Sequence, residues 1–180
     1  MARLETMTAP NTMPTMVKMV FMRGAKRFRG TPVPLPDDIR TALSALVCQW
    51  TPDVIDRVCV LEHSAFARMH GRATATTRPR CIFLRGRAAD FFADPALILH
   101  EYCHVLSQWE TGTLTVSRYL GECLRRGYWN NRYEVEARAF AERNLAQFRS
   151  LLGYRTGEGA EWRCFSKLHY SLQFIPPFAP

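Results

Sequence analysis

Apolar residues along this chain fall into helical and strand-like patterns that alternate with turn signals. Ile39, Ala42, Leu43, Leu46, Val47 and Trp50 follow the i, i+3, i+4, i+7 rule of an amphipathic helix. Asp37 and Asp38 fall in its first turn, where the helix dipole favours anions. Thr51-Pro52-Asp53 opens a short second helix. Residues 58–61 read as a strand, 64–70 as a helical turn ended by Gly71, and 73–77 with 80–84 as strands around Arg78-Pro79. Asp94-Pro95, a cap followed by proline at the first helical position, starts a helix with an apolar stripe of Leu97, Ile98, Val105 and Leu106; Gly112 is its stop. Val116, Tyr119, Leu120, Cys123 and Leu124 form another amphipathic helix, stopped by Gly127. Asn130 or Asn131 then caps a last long helix that Gly153 closes. The pattern predicts an α+β domain over residues 31–180, mostly helical with a short sheet or hairpin beside the 95–106 helix. Residues 1–30 are polar, basic and Met-rich and read as a flexible arm, with Pro32, Pro34 and Pro36 as the boundary; 154–180 read as irregular and aromatic.

Composition narrows the class. A chain of 180 residues with 47% hydrophobic content builds one core. No apolar run is long enough to span a bilayer, and the stretch 16–22 is broken by Lys18 and lacks a cleavage site, so no signal peptide is expected. Cys48, Cys59, Cys81, Cys103, Cys123 and Cys164 are scattered with no C-x-x-C pair, which points to free thiols and a cytoplasmic location, with export by a specialised system left open. Net charge is +8 and the pI about 9.5. The basic residues are dispersed rather than interleaved with stacking aromatics and match no nucleic-acid motif, so a solvated basic surface is favoured over a nucleic-acid site.

The chemistry lies in His100-Glu101-Tyr102-Cys103-His104. On a helix, residues four apart share a face with Cβ atoms about 5–6 Å apart, so two imidazoles reach one zinc ion. The glutamate after the first histidine reaches the metal's water as general base. Cys103 falls off the histidine face and reads as a small core residue. Positions 107 and 110 are Ser107 and Glu110, so no third histidine follows at short spacing. The third ligand must come from the last helix, where Glu134 and Glu136 compete. At about 100° per residue they point about 200° apart, so only one faces the metal. Glu134 shares its face with Ala137, Ala141, Leu145, Phe148 and Leu152, the smoother apolar stripe; Glu136 aligns with Phe140, Arg143 and Gln147. Glu134 is the expected ligand.

A His-Glu-x-x-His helix followed by Glu134-x-Glu136-Ala137-x-x-Phe140-Ala141 resembles the gluzincin arrangement of zinc peptidases, in which the glutamate three residues before the alanine is the third ligand. The residue after that alanine, usually aspartate or asparagine, is Arg138 here. Residues 33–110 are similar to the zincin-like core domain associated with bacterial extracellular contractile injection systems. The likeness rests on Pro34-Leu35-Pro36-Asp37-Asp38-Ile39-Arg40, on Ala73-Thr74-Ala75-Thr76-Thr77 with Ile82-Phe83-Leu84, and on residues 99–105 with Gln108. The resemblance implies a small zincin-like metallopeptidase domain. Zn²⁺ would sit on His100, His104 and Glu134, with Glu101 as general base and a peptide or protein as substrate. An oxyanion donor would come from Tyr128, Arg132, Tyr133, His169 or Tyr170, among which the sequence does not choose. Strand 81–84 is a candidate for holding substrate backbone by strand addition, with a purely structural strand as the alternative. Two rival readings accompany it: a non-catalytic zincin-fold scaffold for a bacterial secretion or injection apparatus, and a basic nucleic-acid-associated protein.

Overall fold

The computed structural model describes residues 29–70 and 73–153. The segments 1–28 and 154–180, with most of the N-terminal arm, the aromatic C-terminal segment, His169 and Tyr170, lie outside the described residues. In chain order the elements are β1 (Thr31–Val33), α1 (Asp37–Leu46), α2 (Pro52–Ile55), β2 (Cys59–Glu62), α3 (Ala65–Met69), β3 (Ala75–Arg78), β4 (Cys81–Leu84), α4 (Ala88–Phe92), α5 (Pro95–Tyr102), a π-helical stretch Cys103–Trp109, α6 (Val116–Arg126) and α7 (Arg132–Leu151). The fold is α+β, helices around one small sheet. Among the described residues, no helix is long and apolar enough to cross a membrane.

The sheet order is β1-β2-β4-β3, with β2 and β4 parallel and the outer strands antiparallel to their neighbours. This corrects the expectation for strand 81–84. It is an inner strand, its backbone groups taken by β2 and β3, so it has no edge to offer a peptide. The edge on that side is β3. Its Thr77 Oγ1 accepts from Trp109 Nε1 at 3.1 Å, which ties the edge to the end of the π-helical stretch. The opposite edge, β1, tolerates Pro32 because an outer strand has one side without ladder bonds.

Val60, Ala75, Ile82 and Leu84 turn one face of the sheet into the main core, against Ile98, Leu99, Tyr102 and Val105. Leu61 and Phe83 turn the other way and pack on Ala67 of α3. Leu99 is fully buried at the centre; truncating such a leucine to alanine costs about 2–5 kcal/mol. Opposite the sheet, α7 packs along α5 through Ala137, Ala141 and Phe148, all buried, and the two alanines allow close approach. Leu145 and Leu152 complete the stripe, half-buried.

The caps explain why α5 and α7 start where they do. Asp94 accepts from the amides of Ala96 and Leu97, both at 3.1 Å, and Pro95 takes the first helical position. Asn131, not Asn130, caps α7, its Oδ1 accepting from Tyr133 N at 3.0 Å. The 95–112 helix departs from the α-helical expectation in its second half, which is wound as a π-helix with Glu110 N bonded to Val105 O at 3.0 Å. Val105 and Leu106 are buried all the same, so an apolar period carries no signal for the wider winding.

Candidate metal centre

The last turn of α5 presents His100, the π-helical stretch presents His104, and the first turn of α7 brings Glu134 to meet them. The Nε2 atoms of His100 and His104 are 3.0 Å apart. His100 Nε2 is 3.3 Å from Glu134 Oε2, and His104 Nε2 is 3.5 Å from Glu134 Oε1. Donor atoms held about 2.0–2.2 Å from one tetrahedral ion sit about 3.3–3.6 Å apart. The trio therefore fits a zinc-sized cation to within a few tenths of an ångström. Glu134 Oε2 makes no hydrogen bond among the described residues although it is buried, an orphaned carboxylate oxygen of the kind a cation satisfies. All three side chains are buried, at 4–6% exposure. His100, His104 and Glu134 are the one group of possible metal ligands among the described residues.

A set of hydrogen bonds holds the donors. Tyr119 of α6 donates its hydroxyl to Glu134 Oε1 at 2.8 Å. Asn131 fixes that tyrosine from below, its Nδ2 donating to Tyr119 O at 3.2 Å and lying 3.1 Å from Cys123 Sγ. The ring of Tyr133 stacks against that of Tyr119 with centroids 6.5 Å apart. Gln108, fully buried, places Oε1 2.7 Å from His104 Nδ1. Its Nε2 donates to Tyr133 O at 3.1 Å and to Glu136 Oε2 at 3.0 Å.

Electrostatics follow from this crowding. Burial works against a charged His104, but the adjoining Glu134 and the nearby Glu101 outweigh it and raise the imidazole to about 9. Burial alone would raise Glu134; the two imidazoles instead hold it well below the usual carboxylate range. Glu101 is raised, chiefly by burial, with both histidines pulling down and Glu134 pushing up. It is thus a buried carboxyl beside the trio with an enhanced affinity for a proton. Tyr119 is raised by burial and by the Glu134 charge, so it remains a hydroxyl donor.

Of the two carboxylates in competition, Glu134 lies with the histidines and Glu136 lies on the exposed side of α7, reaching the centre through the Gln108 amide. Cys103 is a buried thiol raised to about 12, chiefly by burial. Tyr133 sends its hydroxyl to Thr113 O at 3.0 Å, and Arg132 donates to that same hydroxyl at 2.5 Å, so neither group points at the trio. Tyr128 meets Trp129 edge-on at 5.8 Å. Arg138 donates to Trp129 O and covers that ring. The hydroxyl that reaches the trio belongs to Tyr119, which the sequence places only as part of an apolar helical stripe. Its spacing from Glu134 carries no motif; the Asn131 link that orients it is visible only in three dimensions.

No protein-family model, curated protein or solved structure matches the chain.

Proposed function

We propose that this chain is a zinc-dependent peptidase-like domain of the gluzincin type, in which His100, His104 and Glu134 hold the metal. The observation that carries the reading is the convergence of three buried donor groups at 3.0–3.5 Å with the buried carboxyl of Glu101 beside them. A bound zinc ion supplies Lewis acidity that polarises a carbonyl and brings the pKa of its water toward about 7. Glu101 takes the proton from the attacking water and returns it to the leaving amine; its raised proton affinity suits both roles. The Tyr119 hydroxyl, kept protonated, gives its one proton to Glu134 Oε1 and so orients the carboxylate that would hold the metal. The edge for peptide backbone in this reading is β3, the outer strand beside the π-helical stretch, where Thr77 O already accepts from Arg78 Nη1 at 2.8 Å. Injection-apparatus components as partners follow from the resemblance alone. The test is a peptide-library or proteomic cleavage screen with a chelator control. Chelator-sensitive cleavage that Glu101→Gln abolishes supports the reading; metal-loaded protein that cleaves nothing sinks the catalytic part.

A second reading, a zincin-fold scaffold with a structural metal, is favoured by one observation: His100, Glu101, His104 and Glu134 are all 4–6% exposed, a closed site with little access for substrate. It predicts that chelation lowers the melting temperature with no cleavage at stake.

A further inference from the structure

Both carboxylates at the start of α7 act on the same centre, Glu134 directly and Glu136 through an amide. Gln108 can be placed two ways, and its surroundings choose one. One end of the amide faces Tyr133 O at 3.1 Å and Glu136 Oε2 at 3.0 Å, both acceptors without a proton to give. A carbonyl there would set oxygen against two oxygens inside the protein. The amino group must occupy that end, and the carbonyl must face His104 Nδ1 at 2.7 Å. A carbonyl only accepts, so Nδ1 carries the proton and the lone pair of the neutral ring lies on Nε2. That nitrogen is the one 3.0 Å from His100 Nε2 and 3.5 Å from Glu134 Oε1.

We infer that Gln108 and Glu136 are positioning residues that fix the tautomer and orientation of His104, so that Nε2 is presented to the metal. The inference rests on the metal reading above for its purpose, but the hydrogen-bond polarity stands apart from it. The Glu136 carboxylate strengthens the pull on the amide protons, which makes the Gln108 carbonyl a better acceptor for Nδ1–H. Partners of this kind at a zinc-bound histidine are worth about 10–100-fold in metal affinity.

The experiment has two arms. In metal-free wild-type protein with ¹⁵N-labelled histidine, the neutral His104 ring should show its proton on Nδ1 and a bare Nε2. A neutral ring with the proton on Nε2 overturns the assignment, whether or not the protein binds metal. In the second arm, zinc affinity is measured by chelator competition for Glu136→Gln and Glu136→Met. Both remove the charge at an exposed position, but only glutamine keeps an acceptor for the Gln108 amide. The Met variant should bind zinc about tenfold more weakly than the Gln variant; equal affinities overturn the role of Glu136. If wild type takes up no zinc, the metal reading falls while the first arm still decides the polarity.

Discussion

The hydroxyl of Tyr119 donates to Oε1 of Glu134 over 2.8 Å, joining α6, which has no buried residue, to the most buried carboxylate of α7. This bond orients the carboxylate while leaving Oε2 toward His100. Tyr119→Phe should therefore weaken zinc binding about tenfold. It should also lower the stability of the metal-free protein by about 1.5–3 kcal/mol, the range for a hydrogen bond to a charged group. Chelator competition and thermal melts measure the two. Unchanged zinc affinity would reduce the bond to packing.

Glu134→Gln and Glu136→Gln separate the two carboxylates. The first removes a donor from the trio and should cost zinc affinity by at least about 100-fold. The second keeps an acceptor for Gln108 and should stay within a few-fold of wild type. If only the Glu136 change weakens binding, the ligand assignment is wrong.

The pH dependence has a definite sign. In the metal-free protein His104 is raised from 6.5 to about 9. Its charged pair with Glu134 stabilises the fold fully below 6.5 and is lost as pH rises through about 9. Glu134 is depressed, so its share is present above 4.5 and is lost as pH falls through its lowered value. The metal-free melting temperature should therefore be highest between about pH 5 and 6.5 and decline above that. Zinc must displace the His104 proton, so its affinity should rise about tenfold per pH unit from about 7 to about 9 and then level off. A flat profile over that window would mean the ring is already neutral.

Glu101→Gln should keep fold and zinc while hydrolysis falls about 10²–10⁴-fold. Circular dichroism and elemental analysis check the first part, and the cleavage screen checks the second. Wild-type activity in the variant would remove Glu101 from the mechanism even if the metal centre stands.

Much of the scaffold was legible because it depends on local patterns. Asp94-Pro95, Ser64, Thr51 and the Asn131 cap mark helix starts in sequence, and each helix begins there. The difference between a buried Glu134 and an exposed Glu136 was legible because Ala137, Ala141 and Phe148 bury one side of α7. Strand order was not legible: strands 59–62 and 81–84 are similar short apolar runs, 75–78 is mostly polar, and only pairing shows that 81–84 is inside. The π winding over Cys103–Trp109 leaves the same residues buried and so no trace in the pattern. Tyr119 was missed as part of the centre because Glu134 lies 15 residues away, beyond any spacing rule; Gln108 lies one helical turn from His104, but its links to Tyr133 and Glu136, 25 and 28 residues on, carry no sequence signal.

Metal content decides whether His100, His104 and Glu134 form a zinc site. Protein purified without chelator, or metal-free protein given zinc and then desalted, should carry about one zinc ion per chain by elemental analysis. His100→Ala should carry far less under the same treatment. Wild-type protein that is folded, metal-free and unable to take up zinc would contradict the account.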